Sequence, residues 1–370
     1  MLLVTIICGI AACSPRGIRI SGARSDERGG FVPGTLALIN DEIRMASREN
    51  DICGGALAIH HSGEEIQVVT FGRLSRDENA KRVDEKTLFD IASLTKPVAG
   101  VPAFVLDAPR PDRPDALLRP LSHTSTLDDA RDYAAIEELC DAPDRAQQVA
   151  DWVHRAVPSQ GKLVYAYGNS NYALLSFAMS RASNELENAI RIKFWGDRLT
   201  YRPVSDSNIA TSGLNANGQT IRGTPFDPLA SRMITTTNRL PLHSGLFASA
   251  PAVAGFVDNL ANPDSTSPER RACGELLFGA PRTGLTPKRD TIYFSDGGLV
   301  SPTHPPLAPE GARPGRVYYQ TGYTGCLLWV DTQTHTTVVL LTNASLTNAQ
   351  EEETKLSEDI ITILLRGMKR

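Results

Sequence analysis

The sequence lacks the short motifs that mark several large enzyme classes. It has no Gly-x-Ser-x-Gly turn, no Walker phosphate loop, no dinucleotide-binding glycine fingerprint and no His-Glu-x-x-His. Its six cysteines include no Cys-x-x-Cys pair, and six in 370 residues do not make a disulfide scaffold. We therefore predict neither a zinc ribbon nor any other metal site, and no cofactor.

An excess of positive charge and a long apolar run are also missing. The net charge is −4, and no basic stripe is present, so we predict no nucleic-acid partner. The apolar stretch from Met1 to Ala12 is too short to span a bilayer as a helix, and no later stretch is long enough. His60 and His61 are neighbours in a strand-like segment and would point to opposite faces, which favours strand residues over metal ligands.

The first residues predict export. Ile10-Ala11-Ala12-Cys13 resembles a bacterial lipobox, after whose cleavage Cys13 would carry lipid, although no Lys or Arg precedes the apolar stretch. The segment that follows is polar and rich in Gly, Arg and Ser. We therefore predict a signal or lipobox segment at 1–13, a tether at 14–34, and an exported bacterial protein that is either periplasmic or a lipoprotein anchored to the membrane through lipid on Cys13.

The two ends of the chain carry the sheet-forming patterns. Near the start, helical spacing at Thr35–Ser47 precedes two β-rich runs, Gly54–His61 and Ile66–Gly72, which predict a hairpin. Near the end, two strands are predicted at Leu327–Val330 and Thr336–Leu341, before a helix whose charges suit its dipole. These segments predict one sheet covered by terminal helices.

The middle of the chain is punctuated by Pro and Gly and predicts helices. The strongest patterns lie at Ala130–Cys140, Arg145–Val157 and Asn171–Ser183, and Asn215-Ala216-Asn217-Gly218 predicts a turn. We therefore predict a sheet domain at 35–90 and 289–370 and a mainly helical domain at 91–288. Small-molecule sites usually lie in clefts between domains, and we expect one here.

A serine and a lysine one helical turn apart stand near the first quarter of the chain. Ser93-Leu94-Thr95-Lys96 follows an apolar segment, and positions i and i+3 share one helix face, so we expect Lys96 above the Ser93 hydroxyl. A serine hydroxyl is a weak nucleophile until a base or a charge activates it, and a lysine can do either. The spacing alone is common in exposed helices and does not specify a function.

Two later motifs stand in an informative order. Tyr167-Gly168-Asn169 comes first, and Gln320-Thr321-Gly322-Tyr323 then opens an apolar run. Ser-x-x-Lys, a second polar triplet and Lys-Thr-Gly mark penicillin-interacting serine enzymes. With Tyr-x-Asn as second element, the chain resembles the serine β-lactamase-like, penicillin-binding superfamily of class C β-lactamases, DD-peptidases and serine esterases. The resemblance runs from about Thr35 to Thr347 and includes Phe89–Lys96, Leu121–Ser125, Tyr167–Leu175, His243–Ala248 and Val339–Asn343.

The resemblance implies an α+β fold, with an antiparallel sheet flanked by terminal helices and a mainly helical second domain. It also implies roles. Ser93 would be the nucleophile, and Lys96 would share its proton or hold positive charge beside it. Tyr167 would be the second base, although a phenol titrates near pH ~10 and its anion must be stabilised. Asn169 would bind Lys96 or a substrate amide.

The third motif would form the strand edge that lines the site. By resemblance, the backbone N–H groups of Ser93 and Tyr323 would bind the developing oxyanion. Thr321 would lie on the same edge, and Gly322 would let the substrate approach the backbone. Gln320 departs from the family, whose members carry Lys or His there, so a charge that could face a substrate carboxylate is absent.

A second departure is the short segment between Lys96 and the Leu121–Ser125 block, whose prolines exclude a continuous helix. This segment leaves that side of the site open or weakens the fold. His123 invites a catalytic triad with Ser93, but the resemblance implies a structural turn for His123, Thr124 and Ser125. It implies a structural role for His243 as well.

These observations predict an exported serine hydrolase that works through an acyl-enzyme on an ester or amide. The substrate would be a β-lactam, a D-Ala-D-Ala-type peptide or a small ester, and the uncharged Gln320 favours an ester or an amide without a carboxylate. The alternative is a catalytically silent protein that keeps the penicillin-binding fold as a binding module of the cell envelope.

Overall fold

The computed structural model describes residues 30–49, 52–77, 79–108, 116–142, 145–157, 163–196, 199–204, 208–215, 217–261, 267–346 and 350–368. The predicted lipobox with Cys13 and residues 14–29 of the predicted tether lie outside these residues. Within the described ranges, no helix is long and apolar enough to cross a membrane. The same ranges contain no group of three or more His, Cys, Asp or Glu side chains arranged to hold a metal ion.

The described residues form short strands in the middle of the chain and longer ones at its ends. The strands are β1 Gly54–His61, β2 Gln67–Gly72, β3 Phe89–Asp90, β4 Leu199–Thr200, β5 Gly213–Leu214, β6 Thr220–Ile221, β7 Phe247–Ala248, β8 Arg282–Leu285, β9 Thr291–Phe294, β10 Val317–Gly322, β11 Cys326–Asp331 and β12 Thr336–Thr342.

Helices occupy both ends and most of the middle. They are α1 Thr35–Glu49, α2 Val101–Asp107, α3 Leu118–Leu121, α4 Asp129–Glu137, α5 Arg145–Arg155, α6 Asn169–Ala178, α7 Ser183–Ile190, α8 Pro228–Arg232, α9 Ala250–Ala261, α10 Pro268–Phe278 and α11 Gln350–Gly367. Single 3₁₀ turns occur at Ala92–Leu94, Glu138–Cys140 and Ala344–Leu346, and π-helical turns at Lys96–Gly100, Arg191–Trp195 and Met233–Thr237.

Both ends of the chain build one antiparallel sheet, which confirms the predicted α+β class. Its strand order is β10-β11-β12-β1-β2, so the first and last strands of the chain meet beside one another. β1 pairs with β12 from Gly55 opposite Thr342 to His61 opposite Thr336. The hairpin β8–β9, which the sequence analysis did not predict, joins this sheet through Val300, and its turn contains the boundary predicted at 288/289.

Apolar side chains cover both faces of the sheet, which explains why every residue of β1 is buried. One face packs against the terminal helices α1 and α11, and the other packs against α9. The first core includes Leu57, Phe71, Trp329, Leu340, Ile39, Ile43, Ile360 and Leu364. The second includes Ala56, Ala58, Leu328, Val339, Val253 and Val257 and continues into the helical region. Small residues on the inner face of β1 allow α9 to approach the sheet closely.

The adjacent histidines of β1 lie on opposite faces, as the strand period requires. His60 Nδ1 lies 2.8 Å from a carboxylate oxygen of Asp258 on α9. His61 Nδ1 lies 2.7 Å from the Thr336 hydroxyl, and its ring stacks on Phe31. Each imidazole therefore has a structural partner.

Candidate active site

The Ser93 turn follows directly from a short paired strand. β3 pairs with β7, so Asp90 lies opposite Phe247 of the predicted His243–Ala248 block. The chain then forms the 3₁₀ turn Ala92–Leu94 and the π-helical turn Lys96–Gly100 before α2. A 3₁₀ turn and a π-helical turn thus replace the regular α-helix predicted here. Pro97 has no N–H and cannot donate the backbone hydrogen bond that a regular helix would need at this position. Ser93 and Lys96 still share one face.

Asp90 holds this turn from below. Its carboxylate accepts the Ala92 N–H at 2.9 Å, and Ala92 has a φ of 44°, a strained left-handed conformation for a residue with a side chain. Burial raises the pKa of Asp90 to about 6, against the opposing effect of two backbone N–H groups. No role was predicted for Asp90 from the sequence, and the structure identifies it as the support of the turn Ala92–Leu94, which we call the nucleophile turn.

Lys96 lies directly beneath Ser93 and is only 1% exposed. Its Nζ donates to Ser93 Oγ at 3.0 Å, to Asn169 Oδ1 at 2.7 Å and to the His243 carbonyl at 2.9 Å. An ammonium carries three N–H donors, so each one has an acceptor. The buried charge is therefore matched by three fixed oxygens.

Tyr167 approaches Ser93 from the other side. Its hydroxyl donates to Ser93 Oγ at 2.7 Å, and the residue is 46% exposed. The ring packs on His123, with centroids 4.7 Å apart, and Lys96 Nζ lies 5.0 Å from the Tyr167 ring centroid. Tyr165 and Tyr172 are instead buried, with hydroxyls that donate to backbone carbonyls, as expected of core tyrosines.

His123 is a buried neutral support rather than a base for Ser93. Burial, assisted by the positive charge of Lys96, holds the pKa of His123 well below its usual range. Its Nδ1 accepts the Gly168 N–H at 3.4 Å, and its neighbours Thr124 and Ser125 bond to Ser122 and Asn171. The structure thus gives the Leu121–Ser125 block the structural turn that the resemblance implied.

Asp129 of α4 caps the helix that carries Asn169. Its carboxylate accepts the Asn169 N–H at 2.6 Å and the Ser170 N–H at 2.7 Å, at the first turn of α6. Gly168 leaves room for this carboxylate, because a Cβ on Gly168 would come within 2.6 Å of it. Because of this cap, α6 begins at Asn169 and not at the predicted Asn171. The helix ends before the predicted Ser183, because the backbone of Met179 is extended.

We call Ser93, Lys96, Tyr167 and Asn169 the nucleophile side, and the segment Gln320–Tyr323 the strand side. Gly322 packs on the nucleophile turn, since a Cβ there would lie 2.8 Å from the Ile91 carbonyl. Gln320 is buried, and its amide donates to the Thr321 carbonyl at 2.9 Å and contacts the Tyr167 hydroxyl at 3.4 Å. Thr321 and Tyr323 are exposed. Direct contacts therefore join Lys96, Tyr167 and Asn169 to Ser93 or to one another, and they bring Gln320 to Tyr167 and Gly322 to the Ser93 turn.

A hydrogen-bonded cluster around the fully buried His243, under the nucleophile side, was not predicted. His243 Nε2 lies 3.1 Å from Asp227, and the Tyr133 hydroxyl donates to the same carboxylate at 3.1 Å. Although burial opposes it, the His243 imidazole holds the pKa of Asp227 well below its usual range. Because the His243 carbonyl accepts from Lys96, the cluster fixes the loop that supplies this acceptor. His243 is structural, as the resemblance implied.

Known proteins that are similar to this chain belong to the family that its motifs resemble. A family model described as Beta-lactamase matches residues 121–361, which is more than half of the chain but begins after Lys96. No curated protein matches the chain in sequence.

Similar folds occur in solved structures. One is a novel penicillin-binding protein homologue from Caulobacter crescentus, with TM-score 0.63, 15% identity, and 94% of this chain and 99% of that chain covered. A class C β-lactamase has TM-score 0.61, 15% identity, and coverage of 92% and 99%. D-amino acid amidase from Ochrobactrum anthropi SV3 has TM-score 0.56, 16% identity, and coverage of 90% and 98%. Together with the extent of the family match, these findings show that the chain belongs to the β-lactamase family.

Proposed function

We propose that the chain is an exported serine hydrolase that forms an acyl-enzyme on Ser93. Its substrate would be an ester or amide: a β-lactam, a D-Ala-D-Ala-type peptide or a small ester. One observation carries this proposal. The Ser93 hydroxyl lies 2.7 Å from the Tyr167 hydroxyl and 3.0 Å from Lys96 Nζ. A nucleophile within hydrogen-bond reach of its activating groups is the geometry that covalent catalysis requires.

Lys96 and Tyr167 would have different roles in activating Ser93. Because all three donors of Lys96 are used, we assign it the role of a fixed positive charge and not that of the base. Tyr167, in its phenolate form, would accept the Ser93 proton while Ser93 Oγ attacks the carbonyl carbon. Tyr167 would then give that proton to the leaving group as its bond to carbon breaks. A water would reverse these steps and release the acid from Ser93.

The oxyanion formed during attack would lie between the Ser93 and Tyr323 N–H groups. Gly322 packs closely on the nucleophile turn, which supports this arrangement because it brings the strand edge next to Ser93. Loss of one such donor typically costs about 10²–10³ in turnover. Gln320 offers the substrate no charge, and we propose that neutral esters or amides without a carboxylate are preferred over anionic substrates.

A covalent label tests the acyl-enzyme directly. We expect a fluorophosphonate to add one phosphonyl group to Ser93, located by peptide mapping, and an activated ester to leave a transient acyl group on it. Incubation with a penicillin, followed by intact-mass measurement, asks whether a β-lactam is a substrate. The control is Ser93→Ala, which should form no adduct. The absence of any adduct on Ser93, in a protein shown to be folded, would overturn the proposal and favour the envelope binding module.

Export is a separate part of the proposal. We propose cleavage before Cys13 and lipid attachment to it, because Ile10-Ala11-Ala12-Cys13 resembles a lipobox. A single acyl chain binds membranes only weakly, so stable anchoring would need several chains. Mass spectrometry of the mature N-terminus should find lipid-modified Cys13, and Cys13→Ser should move the protein into the soluble fraction. Recovery of soluble wild-type protein with Met1 intact would refute this part.

A further inference from the structure

A pair of stacked aromatic rings, one exposed and one partly buried, lies at the end of the strand side, and the proposed chemistry does not use either ring. Tyr323 is 60% exposed, and its ring stacks on that of Phe226, with centroids 5.5 Å apart and planes inclined by 19°. Stacking on Phe226 covers one face of the Tyr323 ring, so its exposed surface includes the opposite face. A large exposed aromatic ring beside a reactive hydroxyl is a candidate substrate contact.

The pair is tied to the nucleophile turn through one buried carboxylate. Asp90 accepts the Phe226 N–H at 2.7 Å and the Ala92 N–H at 2.9 Å, so Phe226 and the residue before Ser93 share one anchor. The Thr324 hydroxyl, next to Tyr323, donates to the Asp90 carbonyl at 2.7 Å. The chain beneath both rings is therefore held to the turn that carries Ser93.

The position of the Phe226 ring is also fixed by the protein without a ligand. It lies so close to Gly213 that a Cβ there would come within 2.2 Å of it. A preformed contact surface loses little conformational entropy when a ligand binds to it. The Tyr323 ring stacks on this fixed support and offers its other face.

The position of the pair along the strand indicates which part of a substrate it would meet. Gln320 contacts the Tyr167 hydroxyl, and Tyr323 lies three residues further on, in the turn that follows the end of β10 at Gly322. In the proposed mechanism Tyr167 protonates the leaving group, so the leaving group departs at the Gln320 end. The acyl substituent then extends toward Tyr323.

We infer that the free face of Tyr323, supported by Phe226, binds a flat aromatic acyl group of a neutral ester or amide. This inference rests on the proposed acyl-enzyme function and names its substrate class. The site would thus favour arylacyl substrates over aliphatic ones of equal size, because only a planar ring can stack on Tyr323.

The test compares two esters whose acyl ring is aromatic in one and saturated in the other, with each value divided by the rate of uncatalysed hydrolysis of the same ester. kcat/KM is measured for p-nitrophenyl phenylacetate and p-nitrophenyl cyclohexylacetate. We expect wild type to favour the phenylacetate. In Tyr323→Ala the ratio of the two values should fall about two- to tenfold, the range of one aromatic stacking contact. Tyr323→Phe keeps the ring and should keep the ratio, and Phe226→Leu, checked for folding by its melting temperature, should lower it.

The possible results distinguish a failure of this inference from a failure of the acyl-enzyme proposal. If fluorophosphonate labels Ser93 and both esters turn over, a wild-type ratio at or below one overturns the inference alone. So does a ratio that Tyr323→Ala leaves unchanged. If Ser93 forms no adduct with fluorophosphonate or with either ester, the acyl-enzyme proposal fails and this inference fails with it.

Discussion

The nucleophile side and the strand side of the site are built in opposite ways. On the nucleophile side, buried Lys96 has three oxygen acceptors, and Asp129 fixes the helix that presents Asn169. On the strand side, Tyr323 is exposed, and the Gln320 amide, which donates to the neighbouring Thr321 carbonyl, reaches the Tyr167 hydroxyl only at 3.4 Å. In the function we propose, a saturated hydrogen-bond network would fix the chemistry, whereas substrate choice would depend on a more exposed and uncharged edge.

The largest effect should come from Tyr167→Phe, which removes one hydroxyl from the nucleophile side. We expect turnover to fall by roughly 10²-fold or more, the scale of a lost general base, with folding preserved because the ring keeps its contact with His123. The measurement is kcat on an activated ester. Tyr172→Phe is the control, since it removes a buried hydroxyl that bonds to the Leu121 and Gly297 carbonyls and should lower stability but not turnover. Wild-type turnover in Tyr167→Phe would show that the base is another group.

Beneath the strand side, Glu353 of α11 makes stability depend on pH. The side chain packs below Gly325, and burial raises the pKa of Glu353 from 4.5 to about 7, against the effect of the Ser357 hydroxyl. The folded state thus retains a proton that the unfolded state loses. The resulting stabilisation is complete below pH 4.5 and is lost as the pH rises through about 7.

Glu353→Gln removes this titration while keeping a polar side chain. Relative to wild type, the variant should gain roughly 3 kcal/mol in unfolding free energy between pH 4.5 and 8. Urea unfolding at several pH values measures it. Glu351→Gln, an exposed change on the same helix, should show no such gain. Parallel pH profiles for Glu353→Gln and wild type would contradict the prediction.

A smaller effect is expected from Asp129→Ala, which uncaps α6 and loosens Asn169. Loss of a helix cap costs about 1 kcal/mol of stability. Because Asn169 positions Lys96, kcat should fall as well. Asp128→Ala is the matched control, since Asp128 caps α4 instead and should cost similar stability with kcat retained. Thermal unfolding and kcat on one ester test both variants, and equal kcat values would show that the Asp129 cap is purely structural.

A change of comparable size concerns charge on the strand side. Gln320→Lys should raise kcat/KM for a cephalosporin relative to a p-nitrophenyl ester by about tenfold, because a charge-assisted hydrogen bond to a carboxylate is on the order of 1–2 kcal/mol stronger than a neutral one. Gln320→Met, which fits the same space without a donor, should not raise the ratio. An unchanged or lower ratio in Gln320→Lys would mean that residue 320 does not face the substrate carboxylate.

The sequence predicts the parts of this molecule whose geometry is local or repeated. Apolar periodicity indicates α1, the β1–β2 hairpin and α11, and the Ser93-x-x-Lys96 spacing places two side chains on one face. The three motifs, taken in order, predict the α+β class and the family, and both are confirmed. The structure brings Tyr167 and Asn169 to Ser93 and Lys96, while their catalytic roles stay predictions.

Contacts between distant segments could not be predicted. Asp129 looks like an ordinary residue of a helix start, and only the packing of α4 on α6 brings it to Asn169. The pairing of Phe226 with Tyr323 depends on an anchor, Asp90, that precedes both in sequence. The β8–β9 hairpin was missed because its strands are short and partly exposed, so they carry little apolar pattern.

The pairing of the first strand with the last has a consequence for biosynthesis. The Gly54 N–H donates to Asn343 Oδ1 at 2.8 Å, across almost the whole chain, and β10 reaches the sheet only through β11 and β12. Such long-range pairing forms slowly, and a growing chain folds in the order of its synthesis. The ribosome therefore releases Ser93, Lys96 and Tyr167 long before Tyr323 exists. A nascent chain stalled before β10 would carry the serine without its strand edge and should be inert toward acylating reagents.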